Sequence, residues 1–434
     1  MIGILGGGLS GLALASRLRD AEVLEGEDRP GGLCRSLTAE GFTFDPHGSH
    51  ILFSRNPEAM AFYEELLRGN VSRRRRNTKV FYKGRYVKYP FENGLSELPI
   101  EDNLACVLGY IEAYVGRVTG TSPKPTNFRE WMYHRFGKGI TERYLLPYNE
   151  KIWKTPAADM AIEWVEGRVP DPPLEDVIKS SLGIPTEGYT HQLHFLYPRE
   201  GGVESLIRGL LPRVARVRPR FRVTSIRRKG EMWVVSDGHE EREFERLVAT
   251  IPIPELVAAM EDVPREVRAA GAALVHRSLV TVMVGLGKPD LNDFSWVYFP
   301  TPADGKFNRI SFPSNFSDRV APVGTSSAMA EITCDAGDEA WASSDATLTE
   351  HVVERADHLG VFKRQDVLVS RVARTRYAYV VFDRVHRRNL DLVEAYARKI
   401  GLHLLGRFGQ FDYINTDQVI LRALGLAREL EAAA

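Results

Sequence analysis

Cysteine is scarce in this chain. Cys34, Cys106 and Cys334 are odd in number, far apart and without CxxC or Cys/His spacing, so neither a disulfide framework nor a zinc site is expected and no other metal site is read. A reducing, cytoplasmic setting follows as the expectation. Excess charge is absent too: 57 basic and 57 acidic residues cancel, which argues against a polybasic binder of nucleic acid or membrane surface. No apolar run reaches the roughly 18 residues a spanning helix requires. The apolar start, Met1 to Ala15, has no positive charge ahead of it and is broken by glycines, a poor match to a secretory signal.

What is present is ample material for a core. The 434 residues, 44% of them hydrophobic, exceed one ordinary domain. Ile2–Leu5 reads as a buried strand, Gly6–Gly11 as a turn, Leu12–Arg19 as a helix and Ala21–Glu25 as a second strand, a βαβ start that implies a parallel sheet. The stretch from about Glu101 to Leu182 is helix-rich and punctuated by prolines such as Pro147 and Pro156. Alternating segments follow at Arg222–Ile226, Met232–Ser236 and Leu247–Ile251, then a β-rich block from Leu274 to Cys334. A last strand, Leu402–Leu405, leads to a helix from Thr416 onward. The expected fold is α/β. A Rossmann-type domain is assembled from residues 1–70, 198–272 and 400–434, with a helix-rich insertion over 71–197 and an antiparallel-sheet domain over 273–399.

Gly6-Gly7-Gly8-Leu9-Ser10-Gly11 satisfies GxGxxG after a strand and at a helix start, the context in which it signals dinucleotide binding. Gly6, Gly8 and Gly11, with Ser10 among them, permit a tight turn and let backbone amides approach a pyrophosphate. Glu25 ends the second strand, where a carboxylate accepts hydrogen bonds from ribose hydroxyls. Arg29-Pro30-Gly31-Gly32-Leu33-Cys34-Arg35 then favours FAD over NAD, because a simple NAD site gives no role to a second glycine loop. That loop resembles the second fingerprint of flavoproteins of the amine oxidase and protoporphyrinogen oxidase type, in which Gly31 and Gly32 run along the flavin and Arg35 approaches the pyrophosphate.

Further segments resemble the UDP-galactopyranose mutases, their eukaryotic-type branch especially. They are Gly48-Ser49-His50-Ile51-Leu52-Phe53-Ser54, Tyr89-Pro90-Phe91-Glu92-Asn93, Pro147-Tyr148-Asn149-Glu150-Lys151-Ile152-Trp153, Trp164 to Pro170, Trp296-Val297-Tyr298-Phe299-Pro300 and Gly406-Arg407-Phe408-Gly409. The resemblance implies a redox-neutral isomerase that interconverts pyranose and furanose forms of a nucleotide-diphosphate sugar. It implies a flavin N5–sugar adduct and activity only with reduced FAD, NAD(P)H being a candidate reductant. Arg168 and Arg309 match the two diphosphate arginines, and His50 matches a histidine beside the flavin, so these three are the candidate catalytic residues. Gly48, Ser49, His50, Arg76, Arg407, Asn415, Asp417 and Gln418 are implied at the flavin. Tyr89, Phe91, Glu92, Asn149, Trp153, Trp296, Tyr298, Tyr379, Tyr413 and Asn415 are implied at the substrate.

Read from the residues alone, Arg73–Arg76 form a solvated face, from which the resemblance turns only Arg76 inward, and Asn415 with Gln418 makes a helix N-cap. Trp296 and Tyr298 share one strand face by the period of two. Two features depart from the mutase pattern: Ser49 stands where a glycine is usual, in a loop one residue longer, and Glu92 replaces a glutamine of the uracil pocket. A carboxylate only accepts hydrogen bonds, so Glu92 disfavours uracil and favours guanine or cytosine over a stacking surface of Tyr89 and Phe91. Its plain alternative is a solvent-facing side chain. The competing class is an FAD-dependent oxidase or dehydrogenase, which needs an apolar tunnel instead of paired phosphate arginines. The sugar, the physiological reductant and the oligomeric state are left open.

Overall fold

The computed structural model describes residues 1–165, 169, 171–188 and 193–432. The run Ile2–Leu5 is the central strand of a five-stranded parallel sheet, ordered Leu402–Leu404, Arg246–Ala249, Ile2–Leu5, Ala21–Leu24, Arg216–Arg218. Strands buried on both faces read as continuous apolar runs, and Leu247, Val248 and Ala249 are fully buried. Segment 246–249 therefore joins this sheet, while Ser225–Lys229, Met232–Ser236 and Glu241–Phe244 form a separate antiparallel one. The first of these starts later than the expected Arg222, because the Gly230 turn (φ +63°) sets the register and pairs Lys229 with Met232.

The first helix runs Leu9–Ala15, not Leu12–Arg19. Gly6 takes φ +103° and the turn closes by Gly8, whose carbonyl already accepts the Leu12 N–H. At the other end Arg17 and Leu18 donate to Leu14 and Ala15, tightening the last turn and stopping the helix. This helix packs on Thr416–Ala432 through Leu9, Leu12, Val419, Ile420 and Ala423.

A seven-stranded sheet is ordered Val367–Val380, His276–Leu286, Ser326–Cys334, Arg309–Ser311, Trp296–Tyr298, Thr78–Tyr82, Arg85–Lys88. All its pairs are antiparallel except Trp296–Tyr298 with Thr78–Tyr82. The 71–197 stretch thus lends two strands to the sheet expected from 273–399 alone. Conversely, helix His386–Lys399 packs with Arg265–Ala272, beside the parallel sheet.

The helical region comprises Ile100–Val118, Phe128–Ile140, Leu146–Trp153 and Leu174–Ser181. Asn127 caps the second by accepting the Glu130 N–H at 3.0 Å, and Pro147 sits in the first turn of the third. The first two helices cross at glycine: a Cβ on Gly139 would stand 2.2 Å from the Ala105 carbonyl oxygen. Lys151 pins helix Leu146–Trp153 to the large sheet by donating to the Phe299 and Thr301 carbonyls, at 2.8 and 2.9 Å. Among the described residues no helix is long and apolar enough to cross a membrane, and no cluster of metal ligands occurs.

Candidate active site

The two glycine loops meet at the C-terminal edge of the parallel sheet. Gly31 N–H donates to the Gly7 carbonyl at 2.8 Å, and a Cβ on Gly32 would lie 3.1 Å from the Gly8 Cα. Glu25 is buried beside them, its Oε2 accepting Gly7 N–H at 2.9 Å and its Oε1 accepting Glu27 N–H at 2.8 Å. Each carboxylate oxygen keeps a second lone pair for a ribose hydroxyl. Arg35 is half-buried and holds the Gly32 carbonyl through Nε. The Gly406 turn (φ +86°) lies so close to Ser10 that a Cβ there would overlap its Oγ at 2.1 Å. A concave glycine surface with an oriented acid at its rim suits the adenosine diphosphate half of FAD.

The second half of such a ligand would lie against the loop 45–50. Asp45 anchors this loop from below, accepting hydrogen bonds from Ser36 Oγ, Tyr197 OH and Val203 N–H; burial pushes its carboxyl up to about 6. His47 pairs with Thr375 Oγ1 at 2.7 Å. Gly48 turns at φ +97°. Beyond it, Ser49 Oγ, His50 Nδ1 and Arg407 Nε are buried and have no hydrogen-bond partner among the described residues. Burial, then the nearby Arg407, lowers the His50 imidazole to about 4, so it is neutral at pH 7. Buried polar atoms are normally satisfied, and these three orphans fit the polar edge of a flavin. Arg407 is otherwise fixed by donating to the Ile414 and Ala378 carbonyls and lies 4.4 Å from the Tyr413 ring centroid.

The helix start implied at the flavin presents a mixed picture. Asn415 and Gln418 are exposed, while Asp417 is buried and accepts from Ser54 Oγ at 2.8 Å. The Asn415 carbonyl accepts the Val419 N–H, the backbone bond of a capping position. Asp417 is therefore an anchor for the 48–54 segment, which the resemblance alone did not indicate.

On the side where the resemblance implies a substrate, an aromatic wall gathers from five parts of the chain. Tyr298 lies 5.2 Å from Tyr89 and 4.9 Å from Tyr148, and Trp153 lies 5.5 Å from Tyr413 and 6.0 Å from Tyr379. Asn149 Oδ1 accepts the Trp153 indole N–H, and its amide donates to the Leu145 carbonyl. Trp296 and Tyr298 do share a face, 6.5 Å apart, while Val297 points into the opposite core. Arg76 sits over both Tyr89 and Trp296, at 4.8 and 4.9 Å, so it lies against the aromatic wall. Arg73 and Arg75 make exposed ion pairs with Glu64 and Glu187.

Three expectations need correction or fall outside. Phe91 is fully buried and stacks on Tyr144 at 5.0 Å, so the stacking surface reduces to Tyr89. Glu92 is only 3% exposed, which removes the solvent-facing alternative and leaves it among Tyr89, Tyr110 and Tyr144. Arg168 lies outside the described residues.

Arg309 holds a partner that the sequence reading did not single out. Directly across the strand pair stands Glu331, fully buried, whose Oε1 accepts from Arg309 Nε and Nη2 at 3.0 and 2.7 Å. Its Oε2 accepts from Nη2 at 2.6 Å and from Tyr379 OH at 3.3 Å, and Oε1 also accepts Ser49 N–H at 3.3 Å. Burial opposes the Arg309 charge, but Glu331 more than offsets it and holds the guanidinium well above its ordinary value. The available signal was one acid in a strand, Ser326–Cys334, whose other residues are uncharged and all buried.

Residues 4–66 match the family described as an NAD(P)-binding Rossmann-like domain. Over its whole length the chain is similar in structure to a crystallised, reduced UDP-galactopyranose mutase, with a TM-score of 0.89, 24% identity and 96% of that chain covered. It is likewise similar to a crystal structure titled as a protoporphyrinogen oxidase of Exiguobacterium sp. 255-15, with a TM-score of 0.78 and 16% identity, covering 100% of this chain and 99% of that one. A putrescine oxidase bound to putrescine gives 0.65 and 17%, covering 99% of this chain and 98% of that one. The chain therefore has the α/β fold these proteins share, with a Rossmann-like domain at its start and the parallel and antiparallel sheets described above.

Proposed function

We propose that this chain is an FAD-dependent mutase that interconverts the pyranose and furanose forms of a nucleotide-diphosphate sugar without net oxidation. The observation that carries this reading is the Arg309–Glu331 pair, set among tyrosines beside the orphaned atoms of Ser49, His50 and Arg407. A buried arginine among hydroxyl donors suits a diphosphate, whereas an oxidase tunnel for an apolar substrate gains nothing from it. FAD, bound and reduced, would supply the nucleophilic chemistry.

The chain's own groups do the rest. Gly8, Gly32 and Glu25 hold the adenosine diphosphate end. Arg309 uses Nε and Nη2 on Glu331, and its Nη1 has no hydrogen-bond partner among the described residues, so two N–H donors remain for phosphate oxygens. Tyr298 and Tyr413 add hydroxyl donors, the Tyr379 hydroxyl donates to Glu331 instead, and Arg168 is proposed as the second phosphate arginine. Neutral His50 can accept or return a proton at Nδ1 beside the flavin. The aromatic wall excludes water while the diphosphate is detached.

Incubating dithionite-reduced protein with a panel of nucleotide sugars, and resolving isomers by chromatography, tests the reading. The expected result is isomer formation with reduced protein only, one priming reduction supporting many turnovers. Stoichiometric use of NAD(P)H or dioxygen with each product would instead favour the oxidase or dehydrogenase class that the protoporphyrinogen oxidase and putrescine oxidase structures represent.

A further inference from the structure

Glu331 is the one acid of a nine-residue strand that is buried throughout. A carboxylate in that position is costly unless paired, and here five hydrogen bonds converge on it. One edge of Arg309 is committed to it by three of them, Tyr379 OH and Ser49 N–H supply contacts from two other elements, and a Cβ on Gly48 would stand 3.7 Å from its Oε1. Those contacts come from opposite sides of the site. Arg309 and Tyr379 belong to the substrate wall, and Gly48 and Ser49 belong to the loop that carries His50.

The geometry assigns Glu331 as the positioning residue of this site: it clamps Arg309 by one edge so that the other faces the diphosphate, and ties the flavin-side loop to the same carboxylate. This rests on the function proposed above and deepens it. Two consequences follow from charge and geometry. Paired with Glu331, Arg309 is neutralised in part, so the site binds a diphosphate firmly enough to keep it and weakly enough to let it leave and return. Arg309 is also denied the rotamers in which its fork would wrap the anion from the wrong side.

The test is Glu331→Gln, which keeps the size and removes the charge. UDP, GDP and inorganic pyrophosphate are titrated into oxidised holoenzyme and followed by the flavin difference spectrum, and turnover is measured on the reduced enzyme. The expected result is a split: diphosphate affinity rises about tenfold as the competing carboxylate charge is lost, KM falls with it, and kcat falls at least tenfold. A residue with a purely structural role would lower yield and stability and leave the affinity of the folded fraction unchanged. Equal or weaker diphosphate binding at wild-type flavin content overturns the assignment.

Glu331→Asp covers the case in which the amide variant fails to fold. It keeps the charge and shortens the reach by one methylene, so affinity should stay within about threefold of wild type while kcat drops fivefold or more. Unchanged kcat would overturn the assignment. Wild-type holoenzyme that binds none of the three probes would instead overturn the diphosphate site itself, and the positioning role with it.

Discussion

Gly8 and Gly32 face each other backbone to backbone, a Cβ on Gly32 standing 3.1 Å from the Gly8 Cα while a Cβ on Gly8 would meet nothing closer than 3.9 Å. Gly11, three residues on, is placed differently. A Cβ there would lie 2.1 Å from the Gly6 carbonyl oxygen. Two glycines of one motif therefore answer to different demands, room for a ligand at Gly8 and contact between strand and helix at Gly11.

Gly8→Ala should keep the fold, with a thermal midpoint within a few degrees of wild type, and lower flavin content at least tenfold because the methyl fills the cradle. Gly11→Ala should destabilise the protein by about 2 kcal/mol or more through overpacking. Thermal unfolding and flavin absorbance on the same preparations check both, and equal flavin retention by Gly8→Ala would remove the cradle from the argument.

Flavin should be held without a covalent bond. Cys34, the thiol within the second glycine loop, is buried, and that burial pushes it up to about 12, so it is protonated and a poor nucleophile at pH 7. Heat denaturation should release all of the yellow chromophore as FAD. Colourless protein that neither contains nor takes up FAD would count against the cofactor itself.

Arg309→Ala should cost roughly 3–5 kcal/mol in stability, because Glu331 would be left buried and unpaired. Arg309→Ala combined with Glu331→Gln should recover most of that loss in urea unfolding, while nucleotide-diphosphate binding stays weak. Arg168→Ala is expected to weaken the same binding by about 2 kcal/mol with flavin content retained. Failure of the double variant to recover would mean that the pair is not energetically coupled.

His47 gives a pH dependence of known sign. Burial, then the charge of Arg35, lowers its imidazole to about 3 in the folded chain against an ordinary 6.5, so its contribution is complete above pH 6.5 and lost as pH falls toward 3. Asp45 opposes this in part, because a carboxyl raised to about 6 favours the folded state on acidification. Urea unfolding at pH 7 and pH 5 should show lower stability at the acid end, and His47→Asn should flatten that slope by about 2 kcal/mol. An unchanged slope would show that His47 does not ionise on unfolding in this range.

What the sequence determined by itself is whatever local contacts dictate. The Rossmann start was legible because a buried strand, a glycine turn and a terminal acid follow one another within 25 residues, and each is specified by its near neighbours. Strands Ser225–Lys229 and Met232–Ser236 were legible by alternation, as was the shared face of Trp296 and Tyr298, whereas the segment at Leu247, read the same way, is a buried parallel strand. Helix ends were misjudged by a few residues, since the glycine turn closes earlier than its apolar rhythm suggests. Only the tertiary structure decided that Phe91 belongs to the core, that strands Thr78–Tyr82 and Arg85–Lys88 cross to the large sheet, and that Arg309 meets Glu331. Twenty-two residues separate that pair along the chain, and their register is set by the pairing of Arg309–Ser311 with Ser326–Cys334. Such a contact leaves no period or spacing in a sequence: its energy exists only once two strands are brought together and water is gone.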